Sequence, residues 1–150
     1  MRPVTLNHAA IAGVSAAVEF LASLGSGESM RNKLIDAYKK ISDHEHMLAS
    51  QLYDGLKKIS GVTVIGQDFS KPNRTPTLSF TLAGKTPTQV CEKMAEKNIC
   101  GWDGHFYAIR AIEALGLLER GGVTRLGISV YNTLEEVKLT LQEIEKMAKS

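Results

Sequence analysis

The stretch GGVTRLGISVYNT, Gly121 to Thr133, sets one arginine, Arg125, into an otherwise apolar segment. Leu126, Ile128 and Val130 recur at period two, so the segment reads as a well-anchored strand. A guanidinium on a rigid strand presents a planar fork of N–H donors that fits a carboxylate through two parallel hydrogen bonds. An arginine on a strand can equally be solvated. A second cluster, WDGHFY, places Trp102, Asp103, His105 and Tyr107 around Gly104. An indole, a carboxylate, an imidazole and a phenol in one turn suit a ligand pocket or an interface. The same residues could form a packed turn with an aromatic plug.

Other reactive-looking residues read more plainly. Cys100 lies near His105, but a lone strand cysteine is commonly a small buried apolar residue, so no catalytic residue is assigned. DHEH, Asp43 to His46, has the composition of a metal tetrad. On a helix only spacings of three and four converge, which leaves Asp43 and His46. Two ligands do not make a site, and no metal is expected. GSGES, Gly25 to Ser29, has glycines before a helix but neither the preceding strand nor the lysine of a phosphate loop, so it reads as an interhelical turn.

These residues need elements to position them. Ile11, Val14, Val18 and Leu21 predict a helix over about Asn7 to Leu24, ended by Gly25 to Gly27. Leu34, Tyr38, Ile41, Leu48, Leu52, Leu56 and Ile59 predict a second, long helix from about Ser29 to Ile59, with Glu45 breaking its stripe. The period then changes. VTVIG from Val62 and TPTLSFTLA from Thr75 predict strands, the latter with Leu78, Phe80 and Leu82 on one face. Between them Pro72 and Asn73 favour a turn. Thr86 and Pro87 open a third helix as N-cap and first residue. ICGWDG predicts a short strand, HFYAIRAIEALG a helix closed by Gly116, and VTRLGISV the last strand. Thr133 with Glu136 forms a capping box for a final helix, Leu134 to Lys149. The expected fold class is α+β: a two-layer domain with a small, mainly antiparallel sheet covered by helices and preceded by two helices.

The totals bound the function. The 150 residues are 43% hydrophobic and 23% charged, which suits one soluble globular domain. A net charge of +2 with interspersed signs gives no concentrated basic patch, so no nucleic-acid partner is expected. No apolar run is long enough to span a membrane. The two cysteines form no metal-like spacing, and with no secretory signal the expected location is a reducing, cytoplasmic one.

TRLGISVYNTLEEVKLTLQEI resembles the C-terminal end of class V, fold-type I pyridoxal-phosphate enzymes, the aminotransferase and cysteine desulfurase group. The resemblance implies that Arg125 holds a substrate α-carboxylate. VTLNHAAIAGVSAAVEFLASLG is similar to the family's GTPN segment and the helix after it, which implies that Thr5 reaches the cofactor phosphate of a partner subunit. NICGWDGHFYA is similar to the family's substrate loop, which implies substrate-pocket roles for Trp102, His105 and Tyr107. Tyr107 stands where a desulfurase has its nucleophilic cysteine, and a phenol cannot carry a persulfide. Trp102 replaces that loop's arginine. The family's Schiff-base lysine belongs to a large domain upstream of the GTPN segment, and neither Lys71 nor Lys85 has its surroundings.

The resemblance therefore implies the C-terminal part of an enzyme acting on an amino acid. Residues 1–28 would come from the large-domain or interface region, and 29–150 would form the small domain. The parent enzyme would use pyridoxal phosphate. The isolated chain is expected to bind none, to be inactive alone and to self-associate, as a homodimer or otherwise. The alternative is a free-standing α+β binding or oligomerisation module without catalysis.

Overall fold

The computed structural model describes residues 7–71 and 74–150. Thr5 and the turn expected at Pro72 and Asn73 lie outside the described residues. Five helices and four strands are present among the described residues, in the order α1 (His8–Ser23), α2 (Met30–Leu56), β1 (Val62–Ile65), β2 (Thr77–Leu82), α3 (Pro87–Ala95), β3 (Trp102–Gly104), α4 (Ile109–Ala114), β4 (Val123–Gly127) and α5 (Leu134–Lys149). The chain divides into two compact units, residues 1–44 and 45–150, with α2 running through both.

In the first unit, Asn7 caps α1 by accepting from the Ala10 amide at 3.0 Å. The glycine turn after α1 is closed by the Ser26 amide, which donates to the Asp36 carboxylate at 2.8 Å. The stripe that predicted α1 lies open: Ile11, Val14 and Val18 are exposed and Leu21 is half-buried. Periodicity identified the helix correctly, but it cannot say whether a stripe has a partner.

The second unit is built on one antiparallel sheet in the order β1-β2-β4-β3. Leu78, Phe80 and Leu82 are buried along one face of β2, as their alternation predicts. Opposite them in register stand Leu126 and Thr124 of β4. This face packs on Leu48, Leu52 and Leu56 of α2, Val90 and Met94 of α3, and Val137, Ile144 and Met147 of α5. Each large side chain buried there contributes roughly 1.5–3 kcal/mol of transfer free energy. Both predicted helix starts hold, with reciprocal capping boxes at Thr86–Gln89 and Thr133–Glu136.

The other sheet face carries a smaller cluster, in which Val123 packs with Ile112 and Leu117 and is flanked by Ile65 and Phe106. Here two expectations change. The helix predicted over HFYAIRAIEALG begins only at Ile109, because Phe106 and Tyr107 adopt left-handed backbone angles, φ 50° and 61°. That turn carries Phe106 into the cluster beside Val123, so tertiary packing overrides helix propensity. The last strand ends at Gly127 rather than Val130. The Asn132 side chain accepts from the Ser129 amide at 2.8 Å and turns the chain toward α5.

Candidate functional site

Residues directly opposite one another in an antiparallel ladder point to the same face. Ser79 of β2 pairs with Arg125 of β4, and Arg125 pairs in turn with Trp102 of β3. Ser79, Arg125 and Trp102 thus form one row across three strands, on the face away from the main core. The next pair, Thr77 with Gly127, lies beside it. Together Thr77, Cys100, Gly101, Trp102, Arg125 and Gly127 line an open concavity of about 390 Å³.

Arg125 is exposed, and its guanidinium carbon stands 3.8 Å from the centroid of the Phe106 ring. Such a contact contributes on the order of 0.5–1 kcal/mol at an open site. It also covers one face of the guanidinium and leaves the N–H edge for an incoming anion. Among the described residues Arg125 forms no ion pair. The fork is therefore held by a ring and a strand while its charge is not neutralised by a protein carboxylate.

The other expected site residues are placed differently. Trp102 lines the concavity with its side chain 71% exposed. His105 is exposed and turned back on its own loop, its Nδ1 accepting from the Tyr107 amide at 3.2 Å. Tyr107 is 99% exposed, and neither His105 nor Tyr107 lines the concavity. Asp103 pairs with Thr124 on the core side and accepts from the Thr88 hydroxyl at 2.6 Å, so it ties β3 to α3. Cys100 is an exposed lining residue, whereas Cys91 is half-buried under the sheet. Burial pushes the Cys91 thiol up to about 11, and the nearby Asp103 charge adds to the effect. His46 packs its ring edge-on against Phe69 at 5.6 Å.

Phe106, Thr77 and Ser79 were not singled out from the sequence. Alternation along β2 puts the two hydroxyls on the polar face, but only the strand register brings them to Arg125. Phe106 sat in a noted motif, and only its left-handed turn reveals the stacking.

The fold is a small antiparallel α+β unit that presents Arg125 on its last strand. The chain belongs to the class V aminotransferase family, whose model matches residues 4–140. A probable cysteine desulfurase of Methanothermobacter thermautotrophicus is 29% identical over 96% of this chain and 32% of its own length. Aminotransferase-like protein FGM3 of Gibberella zeae is 33% identical over 70% of this chain and 27% of its own. The chain thus spans under a third of these relatives' length. Similar solved structures include the apo cysteine desulfurase from Thermococcus onnurineus NA1, with 26% identity and a TM-score of 0.69 over 80% of this chain and 29% of that one. The Escherichia coli cysteine desulfurase CsdA gives a TM-score of 0.75 over 99% of this chain and 32% of that one; at 23% identity this is a likeness of fold.

The family implies pyridoxal phosphate as cofactor. Its aldehyde needs a lysine amine. The concavity offers a guanidinium, a hydroxyl, a thiol and an indole, and no amine. It fits an acid group and does not fit the aldehyde end of that cofactor.

Proposed function

We propose that the chain is the C-terminal, substrate-gripping part of a class V pyridoxal-phosphate enzyme acting on an amino acid. Arg125 carries this reading: a guanidinium with no ion pair among the described residues, fixed on β4, seated on Phe106 and opening into a concavity. Its N–H edge binds the substrate carboxylate. Trp102 walls the pocket, and His105 and Tyr107 meet the far end of the substrate from the adjoining turn. Thr5 contacts the cofactor phosphate of a neighbouring subunit. Residues 1–28 belong to the large-domain or interface region, and the small domain follows from residue 29. The reaction of the complete enzyme is transamination, elimination or related chemistry at the α or β carbon. A persulfide route through the loop is disfavoured because Tyr107 holds the nucleophile's position. The chain by itself is inactive.

The test is the affinity of the chain for amino and 2-oxo acids, read from amide shifts, with melting curves of each variant. Arg125→Ala should lose about 1.5–3 kcal/mol for each charge-assisted hydrogen bond. Arg125→Lys keeps the charge without the planar fork and should recover only part of that. Both variants should melt near the wild type, because an exposed arginine adds little to stability. Unchanged affinity with a collapsed melt would make Arg125 a structural residue and end this reading.

A further inference from the structure

We propose that the Arg125 concavity selects carboxylates that carry a planar aromatic group, with the ring lying on Trp102. The inference rests on the carboxylate-binding reading of Arg125 and adds the chemistry of the substituent. Trp102 and Arg125 are direct ladder partners, so their side chains leave the sheet side by side on one face. Both line the same concavity. The indole is 71% exposed there, an open flat apolar surface next to a cation.

Two further features orient the ligand. Phe106 covers one face of the guanidinium, so a carboxylate meets its edge in the guanidinium plane. Gly127, opposite Thr77, contributes no side chain to the lining, and the space a Cβ would take there is open. A flat group can therefore rest against backbone beside the arginine. Direct ladder partners hold their Cβ atoms about 4.5–5.5 Å apart, a span suited to a ring one or two bonds from the carboxylate and too wide for the methyl group of acetate. Aromatic pairs gain beyond simple apolar burial through offset or edge-to-face contact, so a saturated ring of equal size gains less.

Sodium acetate, cyclohexanecarboxylate and phenylacetate are titrated into the whole chain, followed by the amide shifts of Thr77, Gly101 and Gly127. Phenylacetate should bind about tenfold more tightly than acetate, with cyclohexanecarboxylate between them. The ratio should fall to within about twofold in Trp102→Ala and recover in Trp102→Phe, which also guards against misfolding of the smaller variant. All three acids should be lost in Arg125→Ala. Equal affinity for acetate and phenylacetate, both dependent on Arg125, would overturn the selectivity and leave the carboxylate site standing. Phenylacetate binding that survives Arg125→Ala would show a merely apolar patch and overturn the proposal. Shifts with neither acid would overturn both readings together.

Discussion

Gly122 abuts the backbone of Gly104 where β4 joins β3, leaving no space for a side chain on Gly122. A Cβ on Gly122 would collide with the Gly104 carbonyl, and Gly122 also holds a φ of +90°. Gly122→Ala should therefore destabilise the chain by more than about 1 kcal/mol. Gly84→Ala is the matched control: its φ is +75°, and a Cβ there meets nothing within 4 Å. Urea unfolding of both variants separates the collision from the backbone strain. Equal losses would mean that the strands simply move apart.

Cys91 makes stability depend on alkaline pH. Its folded pKa, about 11, lies above the 9.0 of a free thiol because burial disfavours the thiolate. Between those values the folded chain keeps a proton that the unfolded chain releases. Its contribution is thus complete below pH 9 and is lost as pH rises toward 11. Melting temperatures at pH 8, 9 and 10 should fall more steeply for the wild type than for Cys91→Ala. Parallel curves would remove Cys91 as the cause. At pH 8 iodoacetamide should modify exposed Cys100 well before Cys91.

Pyridoxal phosphate mixed with the chain and reduced with borohydride should leave scattered, low-level adducts. Lys71 is exposed, Lys85 is half-buried, and neither lines the Arg125 concavity. Intact-mass and peptide spectra give the count and the sites. One saturable adduct on a single lysine would contradict the proposal that this chain lacks the Schiff-base residue.

The chain should associate through α1. Val14 is 65% and Phe20 59% exposed, with Ile11 at 50%. An apolar surface of this kind favours self-association. Sedimentation should depend on concentration, and Ile11→Glu with Val14→Glu should abolish that dependence. A chain that sediments as a monomer at every concentration would refute it.

The elements could be read from local signals wherever those signals were mutually consistent. Thr86, Pro87 and Gln89 announce α3, Thr133 and Glu136 announce α5, and Leu78, Phe80 and Leu82 give the buried face of β2. Arg125 was visible as a cation on an apolar strand. Its surroundings were not, because Ser79 and Trp102 reach it through strand register, which the sequence does not write down locally. Phe106 was hidden for another reason: HFYAIRAIEALG has helical propensity, and the left-handed turn at Phe106 and Tyr107 is imposed by packing. On α1 the spacing gave the helix, while the exposure of Ile11, Val14 and Val18 depends on what lies beside it, which spacing does not encode.

The row Ser79–Arg125–Trp102 also carries a kinetic consequence. Its three residues come from strands far apart along the chain, and the outer one belongs to a three-residue edge strand held by a single ladder. Closing those loops costs entropy before the pairings return any stabilisation, so β3 should be the last strand to dock and the first to exchange its amides. Acid binding at Arg125 would then require the finished register and would slow the opening of that edge. A half-assembled chain thus has the arginine but not yet the wall beside it.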